Sequence, residues 1–341
     1  MEDKQNTIVT LASYPEDQLK VENFRVEHAS IRTLEKGEYL IEVDYVSVDP
    51  YVRPRLAGTT SYVSPVGLGN AIPSEMVGHV VESNSERFPV GTAVSGFCSW
   101  QSYIIASETD VLINAVPDSD VDKKVYVNTV ATSGRTAYFG MFRIAHLKPG
   151  ETLVVSAASG SVGSIAGQIG KLEGGYVVGI AGTEEKCRYV KEVLGFDECI
   201  NYKDSDFSQQ LKNVCPNGVD VYFENVGGRV SSIVARFLNP GARVPICGSV
   251  SSYDRKGANP SGPADFFSSL PEPPINRFFI VTEWVRHYPE SDKWLLDALK
   301  NGKLVHYETV TKGLENAPRI LIDILNARHF GKQIIEISTA Q

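Results

Sequence analysis

The stretch VVSAASGSVGSIAG, Val154 to Gly167, constrains the fold more than any other part of this chain. Two valines close an apolar run and a glycine-bearing turn follows. Val162, Ile165, Ala166 and Ile169 then recur at helical spacing, so a helix is expected to begin at about Ser161. A strand, a tight turn and a helix in that order form the corner on which a dinucleotide pyrophosphate rests. The three fingerprint positions read Ala158, Gly160 and Gly163. Gly160 lets backbone N–H groups approach a phosphate, and Gly163 lets the helix close on the sheet. Ala158 fits only if it keeps a negative φ. A βα turn that binds nothing would carry a similar pattern.

The context favours a ligand. Strands are expected at Thr152–Ser156, Tyr176–Ile180, Cys199–Asn201, Val219–Phe223, Arg243–Cys247 and Phe278–Val281, mostly with helical stretches between them. Six alternating strands make the full count of a doubly wound parallel sheet, an α/β fold. Ahead of it, residues 1–125 are rich in glycine, proline and short apolar alternations such as EYLIEVDYVSVD and MVGHVVES, which read as a β-rich domain. The tail segment GKQIIEIS reads as a strand that rejoins that first domain. The expected division is 1–125 with 305–341, and 126–304.

The formal net charge of -8 disfavours nonspecific nucleic-acid binding. No run approaches a membrane span, and MEDKQNTIVT lacks the pattern of a secretory leader. Five scattered cysteines without a C-x-x-C pair suggest free thiols in a reducing compartment, with the cytoplasm as the expected location.

The second expected strand ends at Ala181, Gly182 and Thr183 instead of at an acidic residue that would take a ribose 2′-hydroxyl. If Thr183 caps the next helix, Glu184 and Glu185 become ordinary first-turn residues. Lys186 can then meet a 2′-phosphate, which favours NADP(H); its bland reading is a solvated helix lysine. A zinc dehydrogenase would need an early cysteine ligand and a G-H-E stretch. Here Gly78-His79 is followed by Val80, and no cysteine precedes it, so no metal is expected. Without a Lewis acid, reduction of an isolated ketone is hard. A C=C bond conjugated to a carbonyl is an easier target, because the charge spreads onto an enolate oxygen. A tyrosine suits that oxygen and the α-carbon proton. Tyr51 in VDPYVRPRL, Tyr62 in TTSYVSPVG and Tyr253 after the fifth strand are the candidates; each is equally readable as a core or rim tyrosine.

Taken in order, SVDPYVR, TAYFG, GETLVVSAASGSVGSIAGQIGKL, VVGIAGTEEK, NYK, DVYFENVGG, CGSVSSY, LENAP and FGK resemble the medium-chain dehydrogenase/reductases. The most similar branch is the zinc-independent NADPH-dependent alkenal/one reductases, with the leukotriene 12-hydroxydehydrogenase/prostaglandin reductases, plant double-bond reductases and bacterial curcumin reductases. The resemblance implies a GroES-like substrate domain interrupted by a Rossmann domain, in a homodimer. It implies that Gly160, Ser161, Val162 and Gly163 cradle the pyrophosphate, and that Lys186 and Tyr202 hold the 2′-phosphate end. Asn225, and Cys247, Gly248, Ser249, Val250, Ser251, Ser252 and Tyr253, would line the cofactor. Phe279, Ile280 and Val281 would pass the nicotinamide, and Tyr62 and Tyr253 would stand at the substrate. His329 stands where many relatives carry an asparagine that meets the cofactor. Arg135, in TSGRTAY, replaces an apolar residue and reads as a pocket-rim or a surface helix residue. The implied activity is reduction of α,β-unsaturated aldehydes and ketones. The alternatives are a quinone reductase on the same scaffold and an NADPH-binding structural or sensor protein without turnover.

Overall fold

The computed structural model describes residues 4–58, 63–117, 121–254 and 264–337. The chain divides into two units, Met1–Ala131 with Glu308–Gln341, and Thr132–Tyr307.

In the second unit a six-stranded parallel sheet is built from Thr152–Ser156, Tyr176–Ala181, Glu198–Asn201, Val219–Phe223, Leu238–Ile246 and Ile275–Phe278. Numbered along the chain, these strands lie third, second, first, fourth, fifth, sixth across the sheet. That is the doubly wound order, and its reversal between the first and fourth strands opens a crevice at their carboxyl ends. Apolar strand residues such as Val154, Val178, Tyr222 and Val244 are fully buried, as a sheet covered on both faces requires.

Two expected strands shift. The fifth begins at Leu238 instead of Arg243. The sixth spans Ile275–Phe278, earlier than the apolar run Phe278–Val281 suggests. Phe279 and Val281 lie beyond its end and are buried in an aromatic cluster with Phe139, Phe223 and Trp284. Their apolarity serves that cluster and not the ladder. The TSGRTAYFGMFRIA segment is helical throughout, an α-helix over Thr132–Phe139 widening to a π-helix over Gly140–Ala145. Its Gly140 passes so near the sheet that a Cβ there would meet the Phe223 ring at 2.6 Å.

In the first unit the strands Glu308–Lys312, Lys332–Glu336, Glu38–Val48, Pro73–Ser83, Ala93–Ser99 and Ile113–Ala115 lie side by side. Tyr103–Ser107 also pairs with Glu38–Val48. The tail strand rejoins this unit, with Gln333 opposite Val48 in an antiparallel pair. A core of Tyr39, Ile41, Met76, Val80 and Trp100 fills it.

Candidate functional site

Every cofactor-facing residue expected in the second unit follows the carboxyl end of a parallel strand. At the first of these ends the chain turns through Ala157, the residue that takes the left-handed conformation, with φ +50°. Ala158 keeps a negative φ and is buried, its N–H donating to the Ile180 carbonyl at 3.0 Å. Gly160 is the N-cap of the Ser161–Leu172 helix, and no side chain caps its first turn. The early N–H groups of Ser161, Val162 and Gly163 therefore keep the unpaired donor character of a helix start, and the macrodipole adds partial positive charge there. A Cβ at Gly163 would lie 2.3 Å from the Ala157 carbonyl oxygen, so only glycine lets the helix sit this close to the turn.

Thr183 caps the next helix, Glu184–Glu192, its Oγ1 accepting from the Lys186 N–H at 3.2 Å. Glu184 and Glu185 are thereby first-turn residues. The Tyr202 ring packs on Gly182, where a Cβ would meet it at 2.9 Å. Its N–H donates to the Ala181 carbonyl, so the third strand's end is laced to the second. Burial pushes the Lys186 ammonium below its usual range, and the nearby Lys203 ammonium pushes it further the same way. Lys203 Nζ lies over the Tyr202 ring, 5.9 Å from its centroid, and Glu185 offsets part of its effect on Lys186; an added phosphate dianion would be drawn to the two ammonium charges. Lys203 lies within the quoted NYK stretch but has no distinguishing spacing of its own; only the fold brings its charge to Lys186.

At the switch point between the first and fourth strands, Asn225 donates from Nδ2 to the Ser156 carbonyl at 2.7 Å and from its N–H to Ser156 Oγ at 2.8 Å. The Asn225 carbonyl accepts from the Val250 N–H. Beneath them Glu224 is fully buried. Its carboxylate accepts from the N–H groups of Val226 and Gly227 at 2.7 and 3.0 Å, and from Ser156 Oγ and Ser231 Oγ. Burial raises its pKa, and these donors oppose the rise. Glu224 thus ties together the ENVGG turn and the end of the first strand. In the sequence a glutamate directly after a strand carries no signal of burial and reads as a surface residue.

In the loop after the fifth strand, Cys247 and Gly248 both hang by their N–H groups from the Glu224 carbonyl. Burial, with Glu224 adding to it, raises the Cys247 thiol to about 12, so it is protonated and unreactive. Ser249 Oγ and Ser252 Oγ lie 2.8 Å apart, and Val250–Tyr253 form one helical turn. The Tyr253 hydroxyl folds back over Gly248 and accepts from the Ser249 N–H at 3.4 Å. A Cβ at Gly248 would meet it at 2.4 Å. Phe279 and Val281 turn their side chains into the aromatic cluster, and the Phe279 N–H donates to the Ile246 carbonyl at 3.2 Å, while Ile280 is partly exposed. Arg135 is partly buried on the Thr132–Phe139 helix. It makes a bidentate pair with Asp292 at 2.7 and 2.8 Å and lies over the Tyr288 ring.

In the first unit, Tyr51 sits in the Pro50–Leu56 helical turn with its hydroxyl buried. Burial raises its pKa well above the usual range, and Asp49 and Glu75 raise it further, so it is a phenol. Asp49 is itself buried and paired with Lys332 Nζ at 2.5 Å. His329 lies just before the Lys332–Glu336 strand. Tyr62 lies outside the described residues. His79 pairs with Asp44 at 3.2 Å. Among the described residues no three His, Cys, Asp or Glu side chains converge as a metal site.

The family described as "N-terminal domain of oxidoreductase" matches residues 8–113, and "Zinc-binding dehydrogenase" matches residues 161–267. The NADPH-dependent curcumin reductase of Escherichia coli is 40% identical over 334 residues, covering 96% of both chains. The chain belongs to the medium-chain dehydrogenase/reductases. A member of that family from Nicotiana tabacum, 2-alkenal reductase (NADP(+)-dependent), is 34% identical over 99% of both chains. The crystal structure of CurA from Vibrio vulnificus in complex with NADPH superposes with a TM-score of 0.91 at 38% identity. It covers 98% of this chain and 100% of that one. In this family the two units are the GroES-like and Rossmann domains.

Proposed function

We propose that this medium-chain reductase is an NADPH-dependent, zinc-independent reductase of the C=C bond of α,β-unsaturated aldehydes and ketones. Lys186 and Lys203, with Tyr202, carry the choice of NADPH over NADH, since NADH lacks the 2′-phosphate that would meet their charges. The names of similar reductases, curcumin reductase and 2-alkenal reductase, support the substrate class. When bound, NADPH supplies a hydride for the β-carbon.

The chain's own residues do the rest. The first-turn N–H groups of Ser161 to Gly163 hold the pyrophosphate, and Asn225 and the Cys247–Tyr253 loop hold the cofactor's far end. His329 stands in for the family asparagine, donating from a ring N–H. A tyrosine phenol would steady the enolate oxygen. Tyr62, Tyr253 or water returns the proton to the α-carbon. Burial, with Asp49 and Glu75 adding to it, keeps Tyr51 protonated, so its hydroxyl is available as a hydrogen-bond donor.

The same reading includes a homodimer in the cytoplasm, acting on small molecules and binding neither nucleic acid nor membranes. The sixth strand supports the dimer. Among the described residues it pairs on one side only, and Ile275 on it is 64% exposed. Among the described residues no helix is long and apolar enough to cross a membrane.

The test follows NADPH oxidation with methyl vinyl ketone, butanone and a para-quinone. Turnover of the enone and not of butanone is expected. Turnover of the quinone alone would favour the quinone reductase. Saturable NADPH binding without turnover of any of the three would point to a sensor.

A further inference from the structure

Cys187 lies buried on the Glu184–Glu192 helix, one residue after Lys186. Cys199 lies on the third strand, opposite Gly179 of the second. Gly179 makes room for it: a Cβ there would stand 3.1 Å from Cys199 Sγ and 2.8 Å from Val190 Cγ1 of the same helix. The Cys199 sulfur therefore occupies the space between sheet and helix, on the face that Cys187 shares with Val190 three residues on, and its thiol donates a hydrogen bond to the Cys187 sulfur. Both sulfurs are free thiols, and Cys199 is partly exposed.

We propose that Cys187 and Cys199 form a reversible disulfide that changes the protein's grip on the 2′-phosphate of NADPH. The pair bridges the two elements that carry that grip. Thr183 and Lys186 belong to the helix bearing Cys187, and Tyr202 and Lys203 follow the strand bearing Cys199. Drawing the sulfurs from hydrogen-bonding contact to covalent length moves the helix relative to the strand.

Cys187 lies in the first turn of the Glu184–Glu192 helix, where the helix N-terminus favours a thiolate, and the hydrogen bond from Cys199 lowers its pKa in the same direction, so Cys187 is the nucleophile. Its thiolate attacks one oxygen of hydrogen peroxide, a small oxidant. The O–O bond breaks, and the departing hydroxide takes the Cys199 proton to become water. The Cys199 sulfur then attacks the sulfenic acid on Cys187. The S–S bond forms, and the second hydroxide leaves and is protonated to water. Two thiols are oxidised by two electrons and one peroxide is reduced. The other thiols are poor competitors: burial holds Cys98, Cys215 and Cys247 at about 12.

The linkage depends on thiol chemistry alone; its effect on affinity rests on the NADPH reading above. The experiment treats the full chain with hydrogen peroxide, alkylates the remaining thiols and maps the peptides by mass spectrometry. NADPH and NADH are titrated against the reduced and oxidised protein. The expected result is a Cys187–Cys199 peptide reversed by dithiothreitol, with NADPH affinity changed at least threefold and NADH affinity unchanged. Cys187→Ser and Cys199→Ser should each abolish the shift, and Cys98→Ser should not. Oxidation elsewhere, sulfinic acid without linkage, or linkage with unaltered NADPH affinity would overturn the proposal. Reduced protein that binds no NADPH at all would instead defeat the cofactor reading and leave the linkage test standing.

Discussion

Gly163 approaches Ala157 so closely that the smallest possible side chain would lie 2.3 Å from the Ala157 carbonyl oxygen. That oxygen is backbone, on a residue already held at φ +50°, so it has little freedom to retreat. Gly163→Ala should therefore cost about 1–3 kcal/mol of stability, as overpacking does. It should weaken NADPH and NADH binding alike, because the pyrophosphate corner serves both. Urea denaturation and fluorescence titration with each cofactor measure the two effects.

The Lys186–Lys203 pair should behave differently. Lys186→Ala or Lys203→Ala should raise the KM for NADPH about tenfold, near 1.4 kcal/mol, and leave that for NADH unchanged. The ratio of kcat/KM for the two cofactors reads this directly. Equal losses with both cofactors would move the 2′-phosphate elsewhere.

The strand–turn–helix corner is readable in the sequence because Gly160, Gly163 and the apolar spacing from Val162 to Ile169 are local signals. The Thr183 cap is readable for the same reason. What escapes is set by contacts distant in the chain. Position 158 draws attention as the missing glycine, yet the strained residue is Ala157, because the turn places its left-handed bend one position earlier. Lys203 matters only because the third strand returns beside Lys186. Glu224 matters only because Ser156 and Ser231 close over it. Phe279 and Val281 look like strand residues because an apolar run in a chain does not say which surface it will cover.

The buried pair of Asp49 and Lys332 supports the turn that carries Tyr51. Lys332→Met alone leaves a carboxylate buried without its counter-charge and should cost about 3–5 kcal/mol. The double variant Asp49→Asn/Lys332→Met should recover part of that loss. A double-mutant cycle by urea denaturation gives the coupling.

The Tyr39 hydroxyl is buried without a hydrogen-bond partner in the first unit's core. Burial, with Asp110 adding to it, raises its pKa to about 12. A raised folded-state pKa means that the folded state holds its proton after the unfolded chain has released its own. The resulting contribution is intact below the ordinary tyrosine value and is lost as pH rises from about 10 to about 12. Tyr39→Phe should be neutral or stabilising by up to about 1 kcal/mol at neutral pH. It should also make unfolding less sensitive to pH across that alkaline window, as followed by intrinsic fluorescence.

The most direct measurement of the central claim uses NADPH carrying deuterium at the transferable position and an enone substrate, with the product analysed by NMR. Carbon-bound deuterium at the β-position of a saturated ketone is the predicted result. Deuterium on a carbinol carbon, with the C=C bond intact, would mean that this chain reduces carbonyls and would contradict the account.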